Sequence, residues 1–446
     1  MTELLGKTLV WQPGLVQANK PEVEYARTQM IEMPSIVGDV VRSVGLSTAM
    51  RAAGVVTGLL PIPQPMLLVG PGASRRLGET LSRFGHQKVL IVTDRVVAEM
   101  GLLDGLTKAL SEGGTAHVVF DAITPDAPIP LIEKGMAFYR KHRCDAIVAF
   151  GGGSPMDAAK TIALAVANKK NPRQLVGYFR GLHAPVPIYA VPTTAGTGSE
   201  VTVAAVVSDP QSNRKLVIAD TRLVPTIAAL DPTLMTGLPR HVTAATGMDA
   251  LTHAIEAFIG QWSTGYTDRM ALAAVGMIYD NLRIAYRNGK NLAAREQMAL
   301  AATYAGLAFT RANVGYVHAI AHQFGGRYHT PHGLANAIML PHVLRFLSPA
   351  ITKQLAVLAV RAKVGKAGER SAVLAKKFLD SVEELNRDLG IPRQLDALRE
   401  ADILELAKAA CWEADTSYPV PRYMSPETCA DLIRHVLPKD VQRRKR

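Results

Sequence analysis

The chain has 446 residues, 48% of them hydrophobic, and a formal net charge of +12. That length suffices for two or three domains with ample cores, while Lys and Arg are scattered with no aromatic-interleaved basic stripe, which argues against nucleic-acid binding. Three widely spaced cysteines, Cys144, Cys411 and Cys429, form no disulfide framework or zinc-finger spacing, so a reducing compartment is expected, with the cytoplasm as default.

Residues 1–62 read as an N-terminal extension. Glu3, Glu22, Glu24 and Glu32 argue against a transit peptide, and there is no signal-peptide pattern. Ile36, Val37, Val40, Val41 and Val44 recur at helical spacing, which predicts an amphipathic helix packed on the body of the protein or on a second subunit. Its polar face is not rich in Lys or Arg, so contact with a membrane surface is disfavoured. The uncharged stretch 52–74 is broken by Pro61, Pro63, Pro65 and Pro71 and cannot be a spanning helix.

A β/α pattern starts at about residue 66. Runs at 88–93, 117–120 and 145–150 read as buried strands, with helical spacing through Leu110 and over 131–141. A further strand covers 188–191, and residues 202–207 form a hairpin with 215–218 around Asp209-Pro210. Short apolar strands alternating with helices imply a parallel sheet with ligands at the carboxyl ends of its strands. After about residue 239 only helical periodicity remains. The predicted architecture is therefore an α/β nucleotide-type domain over 63–238 followed by an all-helical domain over 239–446.

Three motifs carry chemistry. Gly151-Gly152-Gly153-Ser154-Pro155-Met156-Asp157 follows a strand. Its glycines admit close approach of a ligand, Ser154 is placed to cap a helix, Pro155 suits the first turn, and Asp157 stands where a capping-box acid would. A strand, a glycine turn and a capped helix make a pyrophosphate site, although no G-x-G-x-x-G follows the first predicted strand. The second motif, 192–200, is a run of Thr, Gly and Ser suited to a phosphate or ribose pocket. The third is a set of metal donors. Asp249 and His253 lie four apart, as do His318 and His322, so each pair shares a helix face. His332 follows Thr330-Pro331, which reads as a helix start with Thr330 as cap. His86, His117, His142, His183, His241, His342 and His435 are read as structural.

Taken together, residues 151–157, 192–202, 249–253 and the His-x3-His-x9-His of 318–332 resemble the iron-containing (group III) alcohol dehydrogenase family, over roughly residues 64–440. The resemblance implies Asp249, His253, His318 and His332 as ligands of Fe²⁺, with Zn²⁺ as the other candidate, and puts His322 beside the metal as the catalytic proton relay. It leaves His329 as a bystander. It implies that Gly152, Gly153, Ser154, Thr193, Thr194, Thr197 and Lys215 hold the dinucleotide, and Asp157 is counted with them. Asp94 matches the acid that binds the adenosine ribose, which favours NAD over NADP. Where many members have an Asn-Pro-Thr turn, this chain has Thr124-Pro125-Asp126-Ala127-Pro128. The implied function is NAD-linked interconversion of a primary alcohol and its aldehyde by a cytoplasmic homodimer or larger homo-oligomer. Rival readings are a hydroxyacid–oxoacid transhydrogenase, a polyol dehydrogenase, and an assembly or membrane-surface protein on a spent enzyme fold.

Overall fold

The computed structural model describes residues 58–212 and 214–438, with positions 46, 48, 50 and 54 before them. The helix expected over 36–44 lies outside the described residues. Short apolar runs make the strands: β1 (Met66–Val69), β2 (Lys88–Val92), β3 (Ala116–Phe120), β4 (Ala146–Gly151) and β5 (Gly177–Tyr178). After these come β6 (Ile188–Pro192), β7 (Ala204–Asp209), β8 (Arg214–Ala219) and β9 (Ile227–Leu230). Helices α1 (Ala73–Arg83), α2 (Arg95–Glu99), α3 (Asp104–Glu112), α4 (Ile129–His142) and α5 (Gly153–Asn168) lie between the early strands.

Six strands pair in the order β1-β9-β6-β4-β2-β3, all parallel. Alternate residues of one strand enter different cores, because strand side chains alternate between faces. Val89, Ile91, Val148 and Phe150 pack with Leu77 of α1 and Leu106 of α3, whereas Leu90, Val92, Ile147 and Ala149 pack with Ile132 of α4 and Ile162 of α5. Burial on both faces explains why these strands read as unbroken apolar runs.

Strands β1 and β9, not predicted, pair with each other at one side of the sheet. β9 is Ile-Ala-Ala-Leu, and its alanines carry little strand preference, so the sheet rather than the local sequence makes it a strand. The predicted hairpin is present as antiparallel β7 and β8, in a second sheet ordered β5-β8-β7. Its pairing begins at Ala204 rather than 202, because residues 199–201 form a 3-10 turn that ends at Thr202.

The buried ammonium of Lys160, on α5, holds that turn in place. Nζ donates to Thr202 O at 2.8 Å, Thr202 Oγ1 at 2.9 Å, Ala204 O at 3.0 Å and Ser199 Oγ at 3.2 Å. Burial pulls its pKa down to about 8, opposed by Asp157 and Glu200. The Glu200 carboxylate in turn accepts from Thr303 Oγ1 at 2.7 Å, which ties the turn to the helical half.

Beyond β9 the described chain is helical. Its helices are α6 (Arg240–Ile259), α7 (Gly265–Arg287), α8 (Leu292–Ala312), α9 (Tyr316–Tyr328), α10 (His332–Arg361), α11 (Ser371–Asp388), α12 (Ile403–Ser417) and α13 (Pro426–Arg434). α6 is buried on nearly every side, as the central helix among α7, α8 and α10. α10 breaks its helical geometry at Ile351, two residues after Pro349, whose ring and missing N–H disrupt the preceding turn. By length and composition α10 could cross a membrane, yet Ile338, Met339, Leu340, Val343 and Leu344 are core residues of this half.

Replacing Lys160 with Met should remove roughly 3 kcal/mol of stability, because it leaves buried carboxylates without their cation. Denaturant unfolding measures this, and a loss below about 1 kcal/mol, the size of one ordinary hydrogen bond, would contradict the anchoring role.

Candidate active site

Three helices of the second half bring their polar turns together. α6 contributes Asp249 and His253 one turn apart, α9 contributes His318 and His322 one turn apart, and α10 begins at His332. Donor atoms of Asp249, His253, His318 and His332 all lie within 4.8 Å of one another. Asp249 Oδ1 stands 3.6 Å from His332 Nε2 and 4.0 Å from His318 Nε2. Asp249, His253 and His318 are buried. The His253 ring is sandwiched between Phe309, at 4.2 Å between centroids, and His318, at 4.5 Å.

Burial keeps these imidazoles neutral. It lowers His318 well below its ordinary value, takes His332 down to about 3 against the opposing pull of Asp249, and lowers His253 against the same carboxylate. Neutral imidazoles are what a metal requires. Three of them with one carboxylate form a donor set that fits a borderline divalent cation. The α10 start differs from expectation by one residue: Pro331 is the extended residue before the helix, with no side-chain cap from Thr330.

Sequence reasoning missed two carboxylates here: Glu256 orients the set itself, and Glu413 orients His322 beside it. Glu256, one turn beyond His253 on α6, accepts from Gly315 N and Val317 N, both at 2.8 Å, so it closes the open N-terminus of α9. It also binds His318 Nδ1 at 2.6 Å, which leaves Nε2 as the lone-pair nitrogen facing Asp249. A Cβ at Gly315 would lie 2.8 Å from its Oε1, so that approach requires glycine. Burial pushes the Glu256 carboxyl up to about 7. The signal for Glu256 was present in the sequence, since Asp249, His253 and Glu256 are spaced i, i+4, i+7 on one helix face.

Glu413 carries no such signal, because it sits on α12. Its Oε1 binds His322 Nδ1 at 2.6 Å and accepts from Tyr418 OH at 2.6 Å, and its Oε2 accepts from Gln323 Nε2 at 2.9 Å. Burial pushes its pKa up, but His322, Tyr418 and Gln323 outweigh that and hold the carboxyl below its usual range. His322 is outside the four-residue cluster, and its ring stacks on His332 at 5.3 Å. His329 ends α9 in a left-handed conformation, and His342 stacks on His435.

The glycine and threonine motifs meet at the carboxyl ends of β2, β4 and β6, which are neighbours in the sheet. β2 runs on to β3 at one side and the chain returns to β4 at the other, so the strand order reverses there, where α/β sheets bind ligands. Gly151 ends β4 at φ 147°, and a Cβ on it would lie 2.6 Å from Pro155. A Cβ on Gly152 would come 3.4 Å from Thr194 Oγ1, and one on Gly153 would come 3.0 Å from Thr197 Cγ2. Thr193 N donates to Gly151 O at 3.0 Å. Asp94 follows β2, caps α2 by accepting from Val97 N at 2.9 Å, and keeps Oδ2 beside Gly151.

Two expectations change here. Helix α5 starts at Gly153 with Gly152 as an unassisted cap, so Ser154 is inside it and its Oγ instead accepts from Asp126 N at 3.0 Å. Asp157 is no capping-box acid: Oδ1 accepts from Ser199 Oγ at 2.9 Å and Oδ2 from Val206 N at 3.1 Å. It therefore anchors the threonine motif. Lys215 forms a 2.8 Å ion pair with Asp126, in the turn that departs from the common pattern, and also reaches Gly325 of α9.

The metal-free ligand set has a pH signature. His253, His318 and His332 bind protons less well folded than unfolded, so below about 6.5 the unfolded chain holds more protons and stability falls with pH. Chelator-treated protein should unfold at lower denaturant at about pH 5 than at about pH 7, the three imidazoles outweighing the raised Glu256 and Asp157 carboxyls, which act in the opposite sense, and a higher midpoint at about pH 5 would contradict that balance.

With this geometry established, comparison with known proteins is specific. Residues 64–232 match the model of iron-containing alcohol dehydrogenase, and 243–437 match the C-terminal part of the Fe-containing alcohol dehydrogenase family. The chain is 39% identical to 1,3-propanediol dehydrogenase of Klebsiella pneumoniae over 369 residues, covering 82% of this chain and 95% of that relative. It is 36% identical to an NAD-dependent methanol dehydrogenase of Bacillus methanolicus, covering 84% and 98%. A crystal structure of 1,3-propanediol oxidoreductase superposes with a TM-score of 0.82 at 38% identity, covering 85% of this chain and all of that one. The chain belongs to the iron-containing alcohol dehydrogenase family and is an oxidoreductase of alcohols and aldehydes.

Proposed function

We propose that the protein interconverts a primary alcohol and its aldehyde, with NAD as hydride carrier and Fe²⁺ or Zn²⁺ held by Asp249, His253, His318 and His332. The observation that carries this reading is the convergence of one carboxylate and three imidazoles on a single point in the helical half. The glycine–threonine cradle at the sheet supports NAD, with Gly152, Gly153, Ser154, Thr193, Thr194, Thr197 and Lys215 around the dinucleotide. Asp94 beside Gly151 favours NAD, since a carboxylate repels a 2′-phosphate. The 63–238 and 239–446 segments act as dinucleotide and metal domains, and the working form is a cytoplasmic homodimer or larger homo-oligomer.

When bound, the metal supplies Lewis acidity towards the alcohol or aldehyde oxygen and the nicotinamide accepts or returns the hydride. The residues supply the rest. Glu256 fixes the His318 tautomer, and burial keeps the three imidazoles available as neutral donors. Glu413 holds the Nδ1 proton of His322, so Nε2 is the atom that takes the alcohol proton or returns it to the aldehyde. Tyr418, donating to the same carboxylate, extends the hydrogen-bonded path away from the site.

NAD⁺ reduction across a panel of alcohols, paired with metal analysis of freshly purified protein, tests the reading. Turnover of added NAD⁺ with simple primary alcohols is expected, whereas turnover only between a hydroxy acid and an oxo acid would overturn it. Asp249→Ala and His332→Ala should lose both metal and activity; full activity in metal-free protein would sink the scheme. Glu413→Gln should lower kcat by about 100-fold, the lower end of what general acid–base catalysis contributes, while metal content stays at the wild-type level.

A further inference from the structure

Asn336 stands one turn beyond His332 on α10, with no exposed surface, and none of the roles above uses it. Its Nδ2 lies 2.7 Å from Asp249 Oδ1, 3.2 Å from His318 Nε2 and 3.2 Å from His332 Nε2. Those are donor atoms of three of the four cluster residues. His318 Nε2 carries a lone pair, because its Nδ1 proton is directed to Glu256. Asp249 Oδ1 lies only 3.6 Å from His332 Nε2 and 4.0 Å from His318 Nε2, so electron-rich atoms crowd one another in a largely buried site.

The amide supplies two protons at that point. Its oxygen confirms which group the site demands: Oδ1 is buried and has no hydrogen-bond partner. Turning the amide over would set Oδ1 against a carboxylate and two imidazole nitrogens, so the orphaned carbonyl is the lesser penalty. The arrangement is thus dictated by the acceptors around Nδ2 and not by the needs of Asn336 itself.

We propose that Asn336 is a latch for the metal-free enzyme, whose N–H groups stand in for the cation and keep the donors of Asp249, His318 and His332 assembled until a metal arrives. This deepens the metal-site reading above and rests on it. A cation held by these residues would compete with Nδ2 for the imidazole lone pairs. The latch therefore stabilises the metal-free form more than the loaded form, and competes with the metal rather than assisting it.

The test is the melting temperature of wild type and Asn336→Leu, each after chelation and after reloading with Zn²⁺, alongside Zn²⁺ affinity by competition with a chromophoric chelator. The latch predicts that the gap between loaded and metal-free melting widens in the variant. Apparent affinity should tighten by about tenfold, the factor that corresponds to one net hydrogen bond. A purely packing role lowers both forms equally and leaves the gap unchanged; a role in supporting the bound metal narrows it. Either result overturns the latch. If Asn336→Leu fails to fold, Asn336→Ala, which removes the N–H groups and adds no metal ligand, is expected to widen the gap in the same way, and an unchanged or narrowed gap in it overturns the latch. Wild-type protein that takes up no Zn²⁺ or Fe²⁺ defeats the metal-site reading itself and the latch with it, whereas wild-type uptake with an unchanged or narrowed variant gap defeats the latch alone.

Discussion

Assembling a charged carboxylate and three imidazoles at one buried point is the constraint around which the helical half is organised. Lone-pair donors repel one another, and imidazoles removed from water must stay neutral. The protein meets both demands with fixed partners. Glu256 joins the start of α9 to the middle of α6 and, in the same contact, holds His318 in the tautomer that presents Nε2 to Asp249. Because α6 is buried among α7, α8 and α10, its Asp249–His253–Glu256 face is held rigidly, as a preorganised site requires.

A similar economy holds in the α/β half. The carboxyl ends of β2, β4 and β6 gather Asp94, the three glycines and the threonine motif, and the close approach of the two loops leaves little room for a Cβ at Gly153. The loops are set by charged side chains. Lys160 gathers acceptors from Ser199 to Ala204, Asp157 holds Ser199 and Val206, and Glu200 reaches Thr303 of α8. Lys215 then spans from Asp126 towards α9. The threonine motif is thus tied to the helical half by the buried Glu200–Thr303 contact.

Much of this was legible in the chain. Unbroken apolar runs marked β2, β3, β4 and β6, because strands covered on both faces must be apolar throughout. The i, i+4 spacing of Asp249/His253 and of His318/His322 marked shared helix faces, and the disappearance of strand patterns after 239 marked the helical half. Local errors came where a partner distant in sequence outweighed a local preference. Ser154 has good capping chemistry, yet its hydroxyl is used by the Asp126 backbone, and Asp157 turns from the helix start to the threonine motif. Strand β9 exists because β1 and β6 offer it partners on either side.

By itself, the sequence determined the class of fold, the order of the motifs and the residue types able to bind a metal and a dinucleotide, since periodicity and donor chemistry are local properties. Only the tertiary structure decided which donors meet and what holds them. Glu413 is brought to His322 from 91 residues away, and Asn336 is turned towards three donor atoms contributed by three helices. Those choices depend on the packing of α6, α9, α10 and α12, and no spacing within a single helix encodes them.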